Sequence, residues 1–461
     1  MNQIATSIRN QWRAANTMAA ATPDHRNRFI DALRAVAILI VVYGHWLVAV
    51  VVVGDEGMTA GNLLDVEPWT QWLTWGFQVM PLFFIVGGYA SAASWSAASD
   101  RGTSYREWLG DRLRRLFTPV VPLLVFWVVA ANAGLAAGLD PSVLGLASMA
   151  ALVPVWFLAV YLLMTMAAPF GYRLWTKHGY RVLAVLIVLA GLTDTAMRMI
   201  GTVSTGGIEI DLVNTIGWGN FLWVWGAMLV MGFAWHDRRL PHALLPAAIG
   251  LVSLLLLTEV AGYSRSMVGV ATEGLNNNTP PSTALIALGL LHFGIALGIE
   301  QRANLLLQRR RTWAAAIVMN SLIMTTYLWH LTVLVLVVGL ATAFEGAGFT
   351  IDPGSVTFWA TRPLLWLVLT IITIPLVLVL SRFERPKRVA AHPRVSQQMI
   401  GALCIFGGLA TMARYGVITG TGFNWPAALL PLVGAGLIGL FHPSITDDAI
   451  DKNAAGLEKA A

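Results

Sequence analysis

Residues 28–46 read RFIDALRAVAILIVVYGHW, and the apolar run they open continues to Val53. A run of this length crosses a bilayer as a helix. It nevertheless carries Asp31, Arg34 and His45, and ionisable groups inside a span are costly. The step from Arg34 to His45 is about three turns plus 20°, so both side chains share one helix face, about 16 Å apart along the axis. Asp31 stands one turn before Arg34, within reach as an i,i+3 pair. Lipid alone would not tolerate this polar stripe. It must face a bundle interior or a water-filled tunnel.

The rest of the chain agrees with a membrane setting. Its 461 residues are 57% hydrophobic and 12% charged, with a mean hydropathy of +0.67. Average soluble chains are about 25% charged. The composition therefore predicts an all-α, polytopic transmembrane helix bundle. A single cysteine, Cys404, excludes an internal disulfide or a cysteine metal site, and no metal-ligand cluster is evident. The polar, basic start and the long first apolar run do not have the form of a cleavable signal peptide.

Twelve spans are predicted: 29–53, 71–95, 116–135, 146–170, 182–200, 214–235, 241–262, 282–299, 313–344, 358–381, 397–415 and 425–442. With the N-terminus placed inside, 25 of the 30 Lys and Arg fall in inside segments, among them Arg112, Arg114, Arg115 and Arg309 to Arg311, and four (Arg34, Arg198, Arg362 and Arg414) fall within spans. The outside loops hold Arg265 and a set of acids that includes Asp55, Glu56, Asp65, Glu67, Glu209 and Asp211. A miscounted span would reverse this bias in every later loop, and no reversal appears. The predicted organisation is a cytoplasmic tail (1–28), a ten-span membrane domain (29–385), a C-terminal transmembrane hairpin (386–445) and a short cytoplasmic tail (446–461). Residues 1–27 read as a partly disordered tail or as a segment lying on the inner leaflet.

Four further stretches carry chemistry. Span two ends MPLFFIVGGYAS (80–91), where Gly87 and Gly88 let another backbone approach closely. The next inside segment, YREWLGDRLRRLFTP (105–119), places arginines at the mouth of span three. Arginine suits bidentate phosphate binding, although the same residues equally read as an anchor on anionic lipid. Span four holds VWFLAVYLLMTMAAP (155–169), which contains Trp156, Phe157 and Tyr161. Trp156 and Tyr161 read as a sugar-binding wall or as core packing. Span nine contains NSLIMTTYLWHLTV (320–333), with His330 at a depth similar to His45. As a lone histidine on an apolar helix, His330 reads either as a functional group or as a hydrogen-bonded core residue. Asp194, Arg198, Glu259, His292 and Arg362 add charged or polar groups to other spans. Singly, each reads as a structural ion pair or a snorkelling group rather than a catalyst; together they suggest a polar outer vestibule.

The Asp31–Arg34–His45 pattern, Phe83-Phe84 to Tyr89, Arg112 with Arg115, and Tyr327 with His330 resemble the acyltransferase type 3 family. In many members a serine stands where this chain has Gly87, so no role for that serine transfers. The resemblance implies an integral membrane O-acyltransferase. It would move an acyl group, commonly acetyl, from cytoplasmic acyl-CoA to a hydroxyl of a saccharide, glycolipid or small metabolite of the bacterial cell envelope. It implies His45 as general base, with Arg34 and Asp31 in the catalytic set, and Arg112 and Arg115 as the acyl-CoA phosphate site. Tyr327, His330, Trp156 and Arg362 are candidates for the acceptor side or for support of the catalytic groups. Acyl-CoA is a co-substrate and no bound cofactor is expected; the bilayer is a partner and nucleic acid is not. A transporter or flippase for a lipid or saccharide is the competing reading, because buried charge serves transport equally well.

Overall fold

The computed structural model describes residues 2–23, 26–54, 57–200, 203–205, 208–210, 216–269, 276–342, 344, 349, 351–384, 391–419 and 422–442. The predicted tail 446–461, and Asp55, Glu56 and Asp211 among the predicted outside acids, lie outside the described residues. The elements run α1 (Asn2–Ala20), α2 (Arg28–Val48), β1 (Ala49–Gly54), β2 (Gly57–Asn62), α3 (Leu63–Val66), α4 (Thr74–Phe77), α5 (Met80–Asp100), α6 (Tyr105–Phe117), α7 (Val121–Ala136), α8 (Pro141–Leu152), α9 (Val155–His178) and α10 (Tyr180–Ile200). There follow β3 (Val203–Thr205), β4 (Ile208–Ile210), α11 (Asn220–His236), α12 (Leu244–Glu259), α13 (Thr283–Leu307), α14 (Arg310–Thr342), α15 (Val356–Leu380), α16 (Val395–Tyr415), β5 (Ile418–Thr419), β6 (Gly422–Phe423) and α17 (Trp425–Leu437). The chain is thus an all-α, polytopic helical protein. Among the described residues, nine helical stretches are long and apolar enough to cross a membrane.

Several predicted boundaries move, each for a local reason. The first span stops at Val48, not Val53, and Ala49–Gly54 pairs antiparallel with Gly57–Asn62. A run of valines flanked by glycines favours a hairpin over a helical turn. Span two begins at Met80 because the tryptophan-rich segment after Pro68 forms a 3-10 turn and then the short α4. The predicted fourth span divides at Val153: α8 ends there, and Pro154 precedes the long helix α9. Proline has no N–H to continue the ladder. Helices α12 and α17 are shorter than a full span at 16 and 13 residues. The N-terminal segment, predicted as a tail, is helix α1. Its Ala15 and Ala19 are buried, and it lies along α14, where Trp313 donates to the Thr22 hydroxyl at 2.8 Å.

The chain forms two compact units, one comprising the residues up to Ser96 with Ala167–Leu376, the other Ala97–Met166 with the chain from Val377. In the first unit, α2 buries Ala35, Ile38, Val42 and Trp46 and exposes Val36 and Leu39. Lipid tails are as apolar as these side chains, so helix pairing depends on close packing and hydrogen bonds. Helices α5 and α11 meet backbone to backbone. A Cβ at Gly88 would strike the Leu229 carbonyl, and one at Gly232 would strike the Ile85 carbonyl and lie 2.6 Å from Tyr89 N. Gly232→Val is expected to cost at least about 1–3 kcal/mol, because backbone rather than a mobile side chain must yield. Loss of the monodisperse peak on size-exclusion chromatography checks this. Gly407→Ala, where nothing lies within 4 Å, should leave the peak intact.

In the second unit, α16 and α17 form a two-helix hairpin joined through β5 and β6. It is closed by the approach of Gly401 to Gly434 and of Gly408 to Pro431. Helix α6 begins with a Ser104–Glu107 capping box. The segment before α16 is clipped to α6: Arg106 donates to the carbonyls of His392 and Pro393, and Gln398 donates to the Arg106 carbonyl.

Candidate active site

Helices α2 and α14 run parallel and pair their polar residues at two levels. At the lower level, the Arg34 Nε and Nη2 atoms donate to Asn320 Oδ1 at 3.0 and 2.7 Å. Asn320 Nδ2 donates in turn to the Asp31 carbonyl at 2.9 Å. The expected Asp31–Arg34 pair is present at 3.6 Å, but the stronger partner of Asp31 is Arg26, at 2.7 Å. Arg34 is therefore oriented mainly by an amide on the neighbouring helix. Its side chain remains one-third exposed.

At the upper level, His45 Nδ1 lies 2.8 Å from His330 Nε2, and the two rings are stacked within 10° of parallel. His330 is fully buried, and its Nδ1 lies 2.6 Å from the Tyr327 carbonyl. A carbonyl only accepts, so the Nδ1 of His330 carries its proton, and the Nε2 of the neutral ring is an acceptor. His45 Nδ1 must then donate to it. This assignment follows from the hydrogen-bond network. It leaves the His45 Nε2 lone pair as the basic position of a half-buried ring. Trp46 fixes the same level by donating from Nε1 to the His330 carbonyl at 3.1 Å.

The other predicted residues fall elsewhere. Tyr327 is buried one turn before His330 and contributes its backbone carbonyl. Arg362 is buried on α15, with its guanidinium carbon 3.8 Å above the Phe358 ring. Arg112, Arg115 and Trp156 belong to the second unit. There Arg112 lies over the Trp108 ring at 5.4 Å and Arg115 is exposed. Between them Arg114 is buried and pairs with Asp111 at 2.7 Å. Trp156 packs edge-on against Phe157. Phe84 of span two stacks on Trp225 at 4.4 Å, and Tyr89 meets the ring of His236.

A family model described as an acyltransferase domain matches residues 27–382. The chain belongs to the acyltransferase type 3 family. The match starts immediately before α2 and ends just beyond α15, so it includes both polar levels and the whole of α14. The chain matches no curated protein and no solved structure. It is a multi-pass membrane acyltransferase.

Sequence reasoning missed Asn320, Arg26 and Trp46. A signal for Asn320 was present. Asn320 and His330 on one span are separated by nearly the same distance as Arg34 and His45 on another. Two parallel helices with equally spaced polar residues can satisfy each other at both levels.

Proposed function

We propose that this acyltransferase carries an acyl group, acetyl foremost, from acyl-CoA to a hydroxyl of a saccharide or glycolipid of the bacterial cell envelope. The observation that supports this most directly is the His45–His330 pair. An alcohol attacks a thioester poorly unless its proton leaves as the new bond forms. In the proposed step the acceptor oxygen bonds to the thioester carbonyl carbon while its proton passes to His45 Nε2. The tetrahedral intermediate then collapses, the C–S bond breaks, and the departing CoA thiolate takes the proton back from His45. His330, whose Nε2 accepts from His45 Nδ1, holds the base in the useful tautomer and stabilises the imidazolium that forms. Arg34 lies about 16 Å from His45 along α2, comparable with an extended pantetheine arm, and would orient the donor. Acyl-CoA acts as co-substrate from the cytoplasmic side, with both chain termini in the cytoplasm.

The test is transfer by the purified protein in lipid nanodiscs, with labelled acetyl-CoA and envelope glycolipid extracts. A labelled acceptor identified by mass spectrometry supports the reading. Movement of a lipid or saccharide across the bilayer with no covalent change would replace it with transport. Arg112 and Arg115 serve the donor phosphates in this reading. Arg112→Ala and Arg115→Ala are each expected to raise KM for acyl-CoA about tenfold, because a lost charge-assisted hydrogen bond costs about 1.5–3 kcal/mol. The same variants should leave KM for the acceptor unchanged.

A further inference from the structure

The charged and polar residues predicted to form an outer vestibule are mostly engaged in holding the fold. The Asp194 carboxylate accepts from Asn220, from Tyr263, and from the backbone and hydroxyl of Thr283. Arg198 donates to the Ala261 carbonyl and stacks on Tyr263. Glu259 pairs with Arg265 at 2.8 Å, and His292 bonds to the Trp75 carbonyl. Arg362 differs. It is 4% exposed, so it does not snorkel to an aqueous surface. Among the described residues neither its Nε nor its Nη1 has a hydrogen-bond partner, and the buried Nε1 of Trp366, one turn along α15, also lacks one. Among the described residues three donor nitrogens, two of them on one cation, thus stand on one side of a membrane helix with no hydrogen-bond acceptor, and the guanidinium's own contact is the Phe358 ring. An uncompensated buried charge is strongly unfavourable unless a partner arrives, and such a residue marks a functional position in membrane proteins.

The position of this face is set by its neighbours. Phe358, Arg362, Trp366 and Thr370 follow at intervals of one turn and therefore share one side of α15. Phe358 packs with Val50 and Leu63, with Leu47 and Val48 against that cluster. Trp366 meets the Tyr43 ring at 5.5 Å, and the Thr370 hydroxyl meets the Tyr43 hydroxyl at 3.1 Å. The face is turned toward the last turns of α2, and α15 runs antiparallel to α2. Arg362 lies midway between Phe358 and Trp366, within about one helical turn of the depth of His45. Tyr43 and Leu47 project about 160° around α2 from His45. The guanidinium and the base therefore lie on opposite sides of α2, with its backbone between them.

We propose that Arg362 and Trp366 form a receptor for an anionic oxygen group, a carboxylate or a phosphate. The guanidinium Nε and Nη1 point to different sides of the group, so each offers a separate charge-assisted N–H to such an anion, and the indole Nε1 supplies a further donor. The ligand is then an acidic saccharide or an anionic lipid. Binding of the anion does not rest on the acyl-transfer reading.

The experiment is thermal unfolding of the full chain in phosphatidylcholine nanodiscs without acyl-CoA. Its arms are methyl β-glucuronide as a soluble carboxylate, methyl β-glucoside as its neutral counterpart, and phosphatidylglycerol mixed into the bilayer as a lipid phosphate. The glucuronide or the phosphatidylglycerol arm should raise Tm by about 3 °C, and whichever does so identifies the source of the anion. The glucoside should have no effect. Arg362→Met should lose the response yet melt no lower than wild type when unliganded, because it removes an unpaired charge. Arg362→Lys should retain a smaller response. His45→Ala should respond like wild type, so failure of acyl transfer would leave this site standing. Absence of a rise in both anionic arms, a rise retained by Arg362→Met, or destabilisation of unliganded Arg362→Met would each overturn the proposal.

Discussion

His45→Ala is expected to lower kcat for acyl transfer about 10³–10⁴-fold, equivalent to about 4–5.5 kcal/mol of transition-state stabilisation, with KM for acyl-CoA nearly unchanged. The separation of effects follows from position. The His45 ring is only half-buried, whereas the packing of this turn rests on Trp46, which is 2% exposed and keeps its bond to the His330 carbonyl. Removing the imidazole therefore takes away the base without opening the pair of helices. The measurement is single-turnover transfer at matched protein abundance in nanodiscs. Normal turnover by a correctly inserted variant would make the imidazole structural and remove the mechanism. The same experiment addresses the covalent alternative. Acyl-CoA mixed with wild type in the absence of acceptor should leave no acyl group on the protein after quenching, since His45 Nε2 receives a proton and not the acyl carbon. A labelled histidine in that sample would turn the general base into a nucleophile.

Much of this arrangement is legible in the sequence. The step from Arg34 to His45 placed both on one face, and both do turn toward α14. Counting depth along alternating spans put His330 level with His45, and the rings are in hydrogen-bond contact. The parallel run of α2 and α14 and the antiparallel run of α15 fit the predicted alternation of the first, ninth and tenth spans. What escaped was whatever depended on partner choice. An i,i+3 spacing makes Asp31 available to Arg34, yet Arg26 reaches Asp31 more closely from outside the helix, and no periodicity reports that. Hydropathy also ran the first span through the valines beyond Val48 and joined the helices on either side of Val153. An apolar average does not register a hairpin or a proline start. The buried state of Arg362 could not be read at all, because snorkelling and burial leave the same trace in a sequence.

Replacing His330 should separate tautomer control from packing. His330→Phe fills the buried volume but offers no acceptor to His45 Nδ1, and is expected to lower kcat about 10²–10³-fold with little change in either KM. His330→Gln presents a carbonyl oxygen that accepts only, so it can hold the same Nδ1–H, and should recover a large part of that loss. The backbone contribution is common to both variants, since Trp46 bonds to the carbonyl of residue 330 and not to its side chain. A purely structural histidine predicts the reverse order. The fully buried site would favour the aromatic ring over a glutamine amide whose NH₂ group has no assigned partner, and an unpaired buried amide costs about 1–3 kcal/mol. Steady-state kinetics of the two variants, with unfolding temperatures measured alongside, decide between these orders. If Phe is the more stable protein and Gln the faster enzyme, His330 acts through His45. If Phe leads in both, the stacked pair is packing, and the proton chemistry of His45 proceeds without a partner.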